Sequence, residues 1–337
     1  MTLELRQLGR TGIKVTNLCL GCMMFGGKTD ASDSMAIIDR ALDAGINFLD
    51  TANVYNAGRS EETTGDALKR NGKRQQVILA TKFHGKMGEG PNDMGNSRRH
   101  IIEQCEQSLR RLKTDYIDLY QVHRPDPHIP IDETLRALDD LIRAGKVRYI
   151  GTSTYAAWQL VESLWVSKEY NLNRFVCEQP PYHLLDRRIE RELIPMAQTY
   201  GFGIIPWSPL AGGMLTGKYR RGEEMPEDSR WAAYASNPIQ RRRMNDSIFD
   251  ATEPLEALAK EHGCSMSQFS LAWCMQKPGV TSPIIGPRTM DQFEDNLKAV
   301  DVTLTAEEMK AIDKIVRPGT HVSPYYEGEF GPHPHRV

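Results

Sequence analysis

Apolar residues along this chain alternate between two rhythms. Short, nearly unbroken apolar runs occupy Asn17 to Gly21, Asn47 to Asp50, Val77 to Lys82, Tyr116 to His123, Val147 to Ser153, Phe175 to Gln179, Gly203 to Ser208 and Val280 to Ile285, the pattern of strands buried on both faces. Between them the period becomes helical: Met35, Ile38 and Leu42 share one face, as do Ile101, Cys105 and Leu109, and Leu135, Leu138 and Ile142. Ala44-Gly45, Ala144-Gly145 and Tyr200-Gly201 each put a glycine where a helix ends in a left-handed cap before the next strand. Eight such repeats predict an α/β fold, a closed (β/α)₈ TIM barrel rather than an open doubly wound sheet, which would carry G-x-G-x-x-G after its first strand. Ahead of the repeat, Leu3 to Leu8 and Ile13 to Val15 flank Gly9-Arg10-Thr11-Gly12, so residues 1–16 are expected to form a hairpin that plugs the barrel floor. His84 to Asn96, Gly212 to Asp246 and the tail 317–337 fall outside the repeat and read as long loops, the first two on the C-terminal face.

Composition acts mainly by exclusion. With 42 Lys and Arg against 44 Asp and Glu in 337 residues, the chain has no general field for nucleic acid or anionic lipid, and neither is expected as a partner. No apolar run approaches the roughly 18 residues of a membrane span, and Met1 to Arg6 lacks a signal-peptide pattern, which points to a cytoplasmic protein. Six cysteines are too sparse for a disulfide scaffold, and Cys19-x-x-Cys22 is half of a metal or redox motif without its second pair, so no metal is expected. A barrel of about 250 residues leaves roughly 90 over; the hairpin, the two loops and the tail absorb them, and residues 1–337 read as a single domain. Arg241-Arg242-Arg243 reads as solvated loop, His333 and His335 as a loose end, and Tyr325, Tyr326 and Phe330 as aromatics that either close over the barrel mouth or hang free. Oligomeric state has no signature in the pattern.

Barrels keep their chemistry at the C-terminal ends of the strands. Asp50 closes the second strand with Tyr55 just beyond it, Lys82 closes the third and His123 the fourth. These strands are adjacent, so the four groups can meet.

Asp50-Thr51-Ala52-x-x-Tyr55, Ala80-Thr81-Lys82 and Asp118-Leu119-Tyr120-Gln121-Val122-His123 resemble the Asp, Tyr, Lys and His tetrad of the aldo-keto reductases, in order and spacing. Gly145 to Gly151, Gln179-Pro180-Pro181-Tyr182, Trp207-Ser208-Pro209-Leu210 and Ile285-Gly286-Pro287-Arg288 extend the likeness from about Leu8 to Arg317. The resemblance implies reversible hydride transfer between NADPH and an aldehyde or ketone, with Tyr55 as general acid. A free phenol has a pKa of about 10, so the neighbouring Lys82 favours the phenolate, Asp50 holds Lys82, and His123 orients the substrate oxygen. It also implies cofactor contacts from Gly21, Cys22, Met23 and Asp50, from Ser153, Thr154 and Gln179 at the nicotinamide carboxamide, from Trp207 stacked on the ring, and from Ser208, Pro209, Leu210, Gly212 and Lys218 at the diphosphate. Gly286, Arg288, Gln292, Asp295 and Asn296 would take the adenosine end. Thr154 departs from the Asn of many members, and Gln292 from their Arg.

Gly212-x-x-x-x-Gly217-Lys218 fits P-loop spacing, but Tyr219 replaces the Ser or Thr that would hold magnesium, so an NTPase is rejected. Arg288 at a helix start favours NADP(H) over NAD(H), because its guanidinium can clamp a 2′-phosphate. Met23, Phe25, Tyr55, His84, His123 and Arg124 are the candidate substrate contacts. Two rivals stand beside the reductase. One is a nucleotide-binding regulatory subunit like the potassium-channel β subunits, which carry Asn at the position of His123. The other is an aldolase-like barrel using Lys82 as a Schiff-base lysine.

Overall fold

The computed structural model describes residues 3–227, 229–234 and 245–323. The hairpin pairs β1 (Leu5–Gln7) antiparallel with β2 (Lys14–Thr16). The eight apolar runs then form β3 (Cys19–Gly21), β4 (Phe48–Asp50), β5 (Ile78–Phe83), β6 (Ile117–Val122), β7 (Val147–Ser153), β8 (Cys177–Gln179), β9 (Gly203–Ile204) and β10 (Ile284–Ile285). All neighbours are parallel, in the order β10-β3-β4-β5-β6-β7-β8-β9. The ring closes where the Thr281 amide donates to the Ile204 carbonyl at 2.7 Å and the Ile284 amide to the Pro206 carbonyl at 2.8 Å. This is the (β/α)₈ barrel.

The seventh and eighth runs are shorter as strands than their apolar length predicts. Pro206 and Pro283 lack the amide that a ladder needs, and regular pairing stops or starts beside them. Helices between the strands cover the ring, and Gly45, Gly145 and Gly201 end three of them at φ +94°, +74° and +71°, the left-handed caps expected. The helices Arg98–Leu112 and Ile131–Arg143 bury their predicted stripes, except that Ile142 is only partly covered. In Ala31–Asp43 the buried face is Ser34, Ile37, Ile38 and Ala41, leaving Met35 and Leu42 at its flanks. Small residues face the sheet there, and an apolar count alone cannot see them.

Leu8 and Val15 of the hairpin pack with Cys19, Phe48, Ala80, Leu119, Cys177, Ile205 and Ile284, which fill the lower barrel interior. Gly9, at φ +56°, lies so close to the Val176 carbonyl that a Cβ would approach it to 2.3 Å. The hairpin is therefore a plug seated on the floor.

The loop His84 to Asn96 is closed on itself by the Gly95 amide on the His84 carbonyl (2.8 Å), and Asn96 Nδ2 ties it to the Arg124 carbonyl (2.9 Å). The segment after β9 contains a 3₁₀ turn at Ala211–Thr216 and a short helix at Arg230–Tyr234. Of the tail, Thr320 and Val322 bond the backbone of Arg187 and Leu185. The expectations for Arg241 to Arg243, Tyr325, Tyr326, Phe330, His333 and His335 lie outside the described residues. Among the described residues no helix is long and apolar enough to cross a membrane.

Candidate active site

Along β4, β5, β6 and β8 the inward-facing column changes character in one step of two residues. Phe48 is followed by Asp50, Ala80 by Lys82, Leu119 by Gln121 and Cys177 by Gln179. Lys82 is completely buried. Its Nζ donates to Asp50 Oδ1 at 2.5 Å, to the Thr51 carbonyl at 2.8 Å and to Tyr55 Oη at 3.4 Å. The second Asp50 oxygen accepts from Gln121 Nε2 (3.0 Å) and Gln179 Nε2 (2.9 Å), and Gln179 also donates to Gln121 Oε1 (3.2 Å). Burial by itself would push the Lys82 ammonium to release its proton, but Asp50 and Tyr55 outweigh it and its pKa lies above the ordinary lysine value.

His123 follows the last residue of β6, and its ring meets that of Tyr55 edge-on, 5.5 Å between centroids at 83°. Burial, then the charges of Arg124, Lys82 and His84, hold its pKa well below the usual histidine range. At neutral pH it is an uncharged imidazole, still able to donate one N–H.

Tyr55 starts a 3₁₀ turn in which Asn56 and Ala57 adopt φ +50° and +55°, strain of the kind that collects at functional loops. Asn56 Nδ2 restrains it by donating to the carbonyls of Met23 (3.0 Å) and Phe25 (2.8 Å) in the loop after β3. Behind it, buried Glu61 accepts from Thr81 Oγ1 and pairs with Arg111, both at 2.6 Å. The tyrosine loop is thus anchored to the strand that carries Lys82.

The remaining candidates divide. Ser153 and Gln179 end adjacent strands, and the Ser153 hydroxyl donates to the Gln179 carbonyl at 2.9 Å; with its hydrogen engaged, that oxygen can still accept from a carboxamide NH₂. Thr154, fully buried at φ +60°, donates to the Ser153 carbonyl at 2.7 Å, so it shapes this turn rather than offering a donor to a ligand. Trp207 and Ser208 are half-buried beyond β9. Ser208, Ala211, Gly212, Gly213 and Gly217 all have positive φ, a backbone that can turn successive N–H groups to one side as an anion cradle. A Cβ on Gly213 would stand 3.1 Å from Lys218 Nζ, so the bare glycine keeps that ammonium over the cradle. Burial and then the charges of Arg288 and Arg230 push the Lys218 pKa down. These three cations form one track, a donor set that fits the phosphates of a dinucleotide. The Arg288 amide donates to Gln292 Oε1 at 2.8 Å, which fixes its backbone.

The other candidate residues differ in burial and in partners. Phe25 is 0% exposed and packs in the core, whereas Met23 is 38% exposed. The Cys22 side chain is also fully buried, and burial pushes its thiol up to about 12. Gly21 is required where β3 meets β10: a Cβ would stand 2.6 Å from Ile284 Cγ2. Asp295 takes Gln268 Nε2 (2.7 Å) and Ser265 Oγ (3.2 Å), bracing the start of the helix Met266–Gln276. Asn296 and Pro209 are buried, Leu210 packs on the core, and Gly286 is exposed. His84 has φ +122° and its Nδ1 contacts Asn96 Oδ1 at 2.9 Å; Arg124 donates to the His123 carbonyl at 2.7 Å. Two residues escaped the sequence reading. Gln121 could have been found, since strand alternation puts it on the face shared by Leu119 and His123. Arg230 carries no local signal.

Tyrosine, lysine, aspartate and histidine thus converge at the polar strand ends of a closed parallel barrel, the end where such barrels carry their sites. The family model described as the Aldo/keto reductase family matches residues 17–317. A "Probable voltage-gated potassium channel subunit beta" of Oryza sativa is 40% identical over 321 residues, covering 94% of this chain and 97% of that protein. The "Uncharacterized oxidoreductase YrpG" of Bacillus subtilis is 40% identical over 322 residues, covering 93% and 96%, and the corresponding Arabidopsis thaliana channel subunit is 38% identical. The chain belongs to the aldo/keto reductase family, whose members generally bind NADP(H).

Proposed function

We propose that this protein is an NADP(H)-dependent carbonyl reductase that converts an aldehyde or ketone to the alcohol, reversibly. The observation that carries the reading is the chain Asp50–Lys82–Tyr55 with the His123 ring set edge-on to the tyrosine. Bound NADPH would supply the hydride. Ser153 and Gln179 would accept from its carboxamide, Trp207 would cover one ring face, and Lys218, Arg230 and Arg288 would hold its phosphates, the last two favouring NADP over NAD. As negative charge develops on the carbonyl oxygen, the Tyr55 hydroxyl gives up its proton to it. The Lys82 cation stabilises the phenolate left behind, and the neutral His123 donates a hydrogen bond that orients the oxygen. Asp50, held by Gln121 and Gln179, keeps Lys82 charged and aimed.

The test is Tyr55→Phe. NADPH consumption at about 340 nm, the wavelength at which only the reduced nicotinamide absorbs, should fall roughly 10²–10⁴-fold across a panel of aldehydes and ketones, with NADPH affinity unchanged. Retained turnover would remove Tyr55 from its role. The identity with proteins named as channel subunits supports a second reading, a nucleotide-binding regulatory subunit. It is favoured if NADPH binds tightly yet no carbonyl in the panel is turned over.

A further inference from the structure

On the barrel floor, at the entry ends of β7, β8 and β9, the turn of the N-terminal hairpin borders a cavity of about 310 Å³ lined in part by Arg10, Thr11, Gly12, Arg148, Asn173 and Arg174. Three arginines line it, and no acidic side chain does. Arg10 makes no ion pair among the described residues. Arg148 lies over the Tyr116 ring at 4.9 Å and Arg174 over the Phe202 ring at 4.8 Å. Arg174 donates only to carbonyls, those of Phe175 (3.2 Å) and Tyr200 (2.8 Å). The carboxylates that come near are already engaged: Asp118 pairs with Arg74 at 2.8 Å, and Asp139 with Arg143 at 2.5 Å. Elsewhere buried arginines are neutralised, as Arg111 is by Glu61 and Arg187 by Glu190 and Asp313. Burial and then the charge of Arg10 push the Arg174 pKa down.

We propose that this cavity binds a small multivalent oxyanion, of the phosphate or polycarboxylate class, at a site separate from the catalytic face. Guanidinium forks match the oxygen spacing of both groups, and the volume sits at the lower end of the roughly 300–1,000 Å³ typical of small-molecule sites. Such an anion would bridge the hairpin turn to the strand entries of β7 and β8. It would stabilise the floor by mass action. The inference is independent of the cofactor reading, because none of its residues reaches the Lys218–Arg288 track.

Inorganic phosphate, pyrophosphate and citrate are titrated into the full chain at saturating NADP⁺ and at ionic strength held constant with sodium chloride, with thermal midpoint and calorimetric heat as readouts. The wild type and Arg288→Ala should both show a saturable rise in Tm. Arg10→Ala and Arg148→Ala, exposed positions whose loss leaves the core intact, should bind about tenfold more weakly or worse, with unchanged Tm in chloride alone. The anion giving the larger effect assigns the class. The proposal is overturned if the shift is no larger than chloride produces, if it survives in Arg10→Ala and Arg148→Ala, if it disappears in Arg288→Ala, or if an acidic peptide binds while none of the three anions does.

Discussion

The two ends of the barrel interior are made by the same strands and behave as different materials. At the floor, Phe48, Ala80, Leu119 and Cys177 close around Leu8 and Val15 with no polar side chain among them. One inward step further along each strand, Asp50, Lys82, Gln121 and Gln179 form a buried hydrogen-bonded network. Neither end is exposed to water, so burial does not separate them. Within that lower interior layer, packing is sufficient because none of these side chains needs solvation. At the top, each charge must find its partner inside the protein, since an unpaired ion in that environment is far more destabilising than a missing methylene. The floor is therefore expected to govern stability and the upper layer chemistry, with Lys82 and Asp50 belonging to both.

Lys82→Met is the severest way to break that division. It leaves the Asp50 carboxylate buried with two amide donors and no cation, and it should lower stability by about 3–5 kcal/mol while abolishing NADPH turnover. Adding Asp50→Asn to it should return most of the stability, measured by denaturant unfolding, and none of the activity. Phe48→Ala, two residues below Asp50 on the same strand, should cost a similar 3–5 kcal/mol through its cavity, yet leave kcat close to wild type in the protein that remains folded. If Phe48→Ala lowers kcat as strongly as Lys82→Met, the two layers are not separable.

Burial on both faces is also why so much of the barrel could be read from the residues alone. A strand covered on each side has no polar alternation to confuse it with a loop, and all eight runs became strands; the two cut back most, β9 and β10, are those that meet the prolines at 206 and 283. The tetrad was legible because strand ends are chemically conspicuous. Position beyond a strand end does not settle exposure: Phe25 and Cys22 follow β3 in sequence, and the loop turns their side chains into the core. Arg230 could not be placed from sequence, because only the folding of the segment after β9 brings it towards Lys218 and Arg288.

Glu178 tests whether the outward face of the same strand follows the rules of the upper layer. It stands between Cys177 and Gln179, is fully buried, and accepts from the Thr152 hydroxyl and from the Tyr155 amide at 3.1 Å. Burial dominates, raising its pKa to about 8 against the smaller opposing effects of the hydrogen bonds from Thr152, Tyr155 and Thr154 and then the charge of Arg124. A carboxyl whose folded pKa is raised contributes stability that is complete below the unfolded value near 4.5 and disappears as pH rises through about 8. Unfolding measured between those limits should show a fall of up to about 1.4 kcal/mol per pH unit from this one group. Glu178→Gln should remove that slope. A slope unchanged in the variant would assign the pH dependence elsewhere.

The smallest expected effect carries the comparison to the rim, where Lys218, Arg230 and Arg288 are proposed to hold the cofactor's phosphates. Arg288 and Arg230 both lower the Lys218 pKa, so the three cations repel one another in the protein as it stands. Phosphate would relieve that repulsion. If Arg230 faces the 2′-phosphate, Arg230→Ala should raise KM for NADPH by about tenfold, roughly 1.4 kcal/mol, while KM for NADH and kcat with either cofactor stay near wild type. An equal rise for NADH would place Arg230 at the diphosphate common to both, and the preference for NADP would then rest on Arg288 alone. No change for either cofactor would make the rim arginine a surface charge, and the contrast between the polar upper layer and the apolar lower interior would stop at the strand ends.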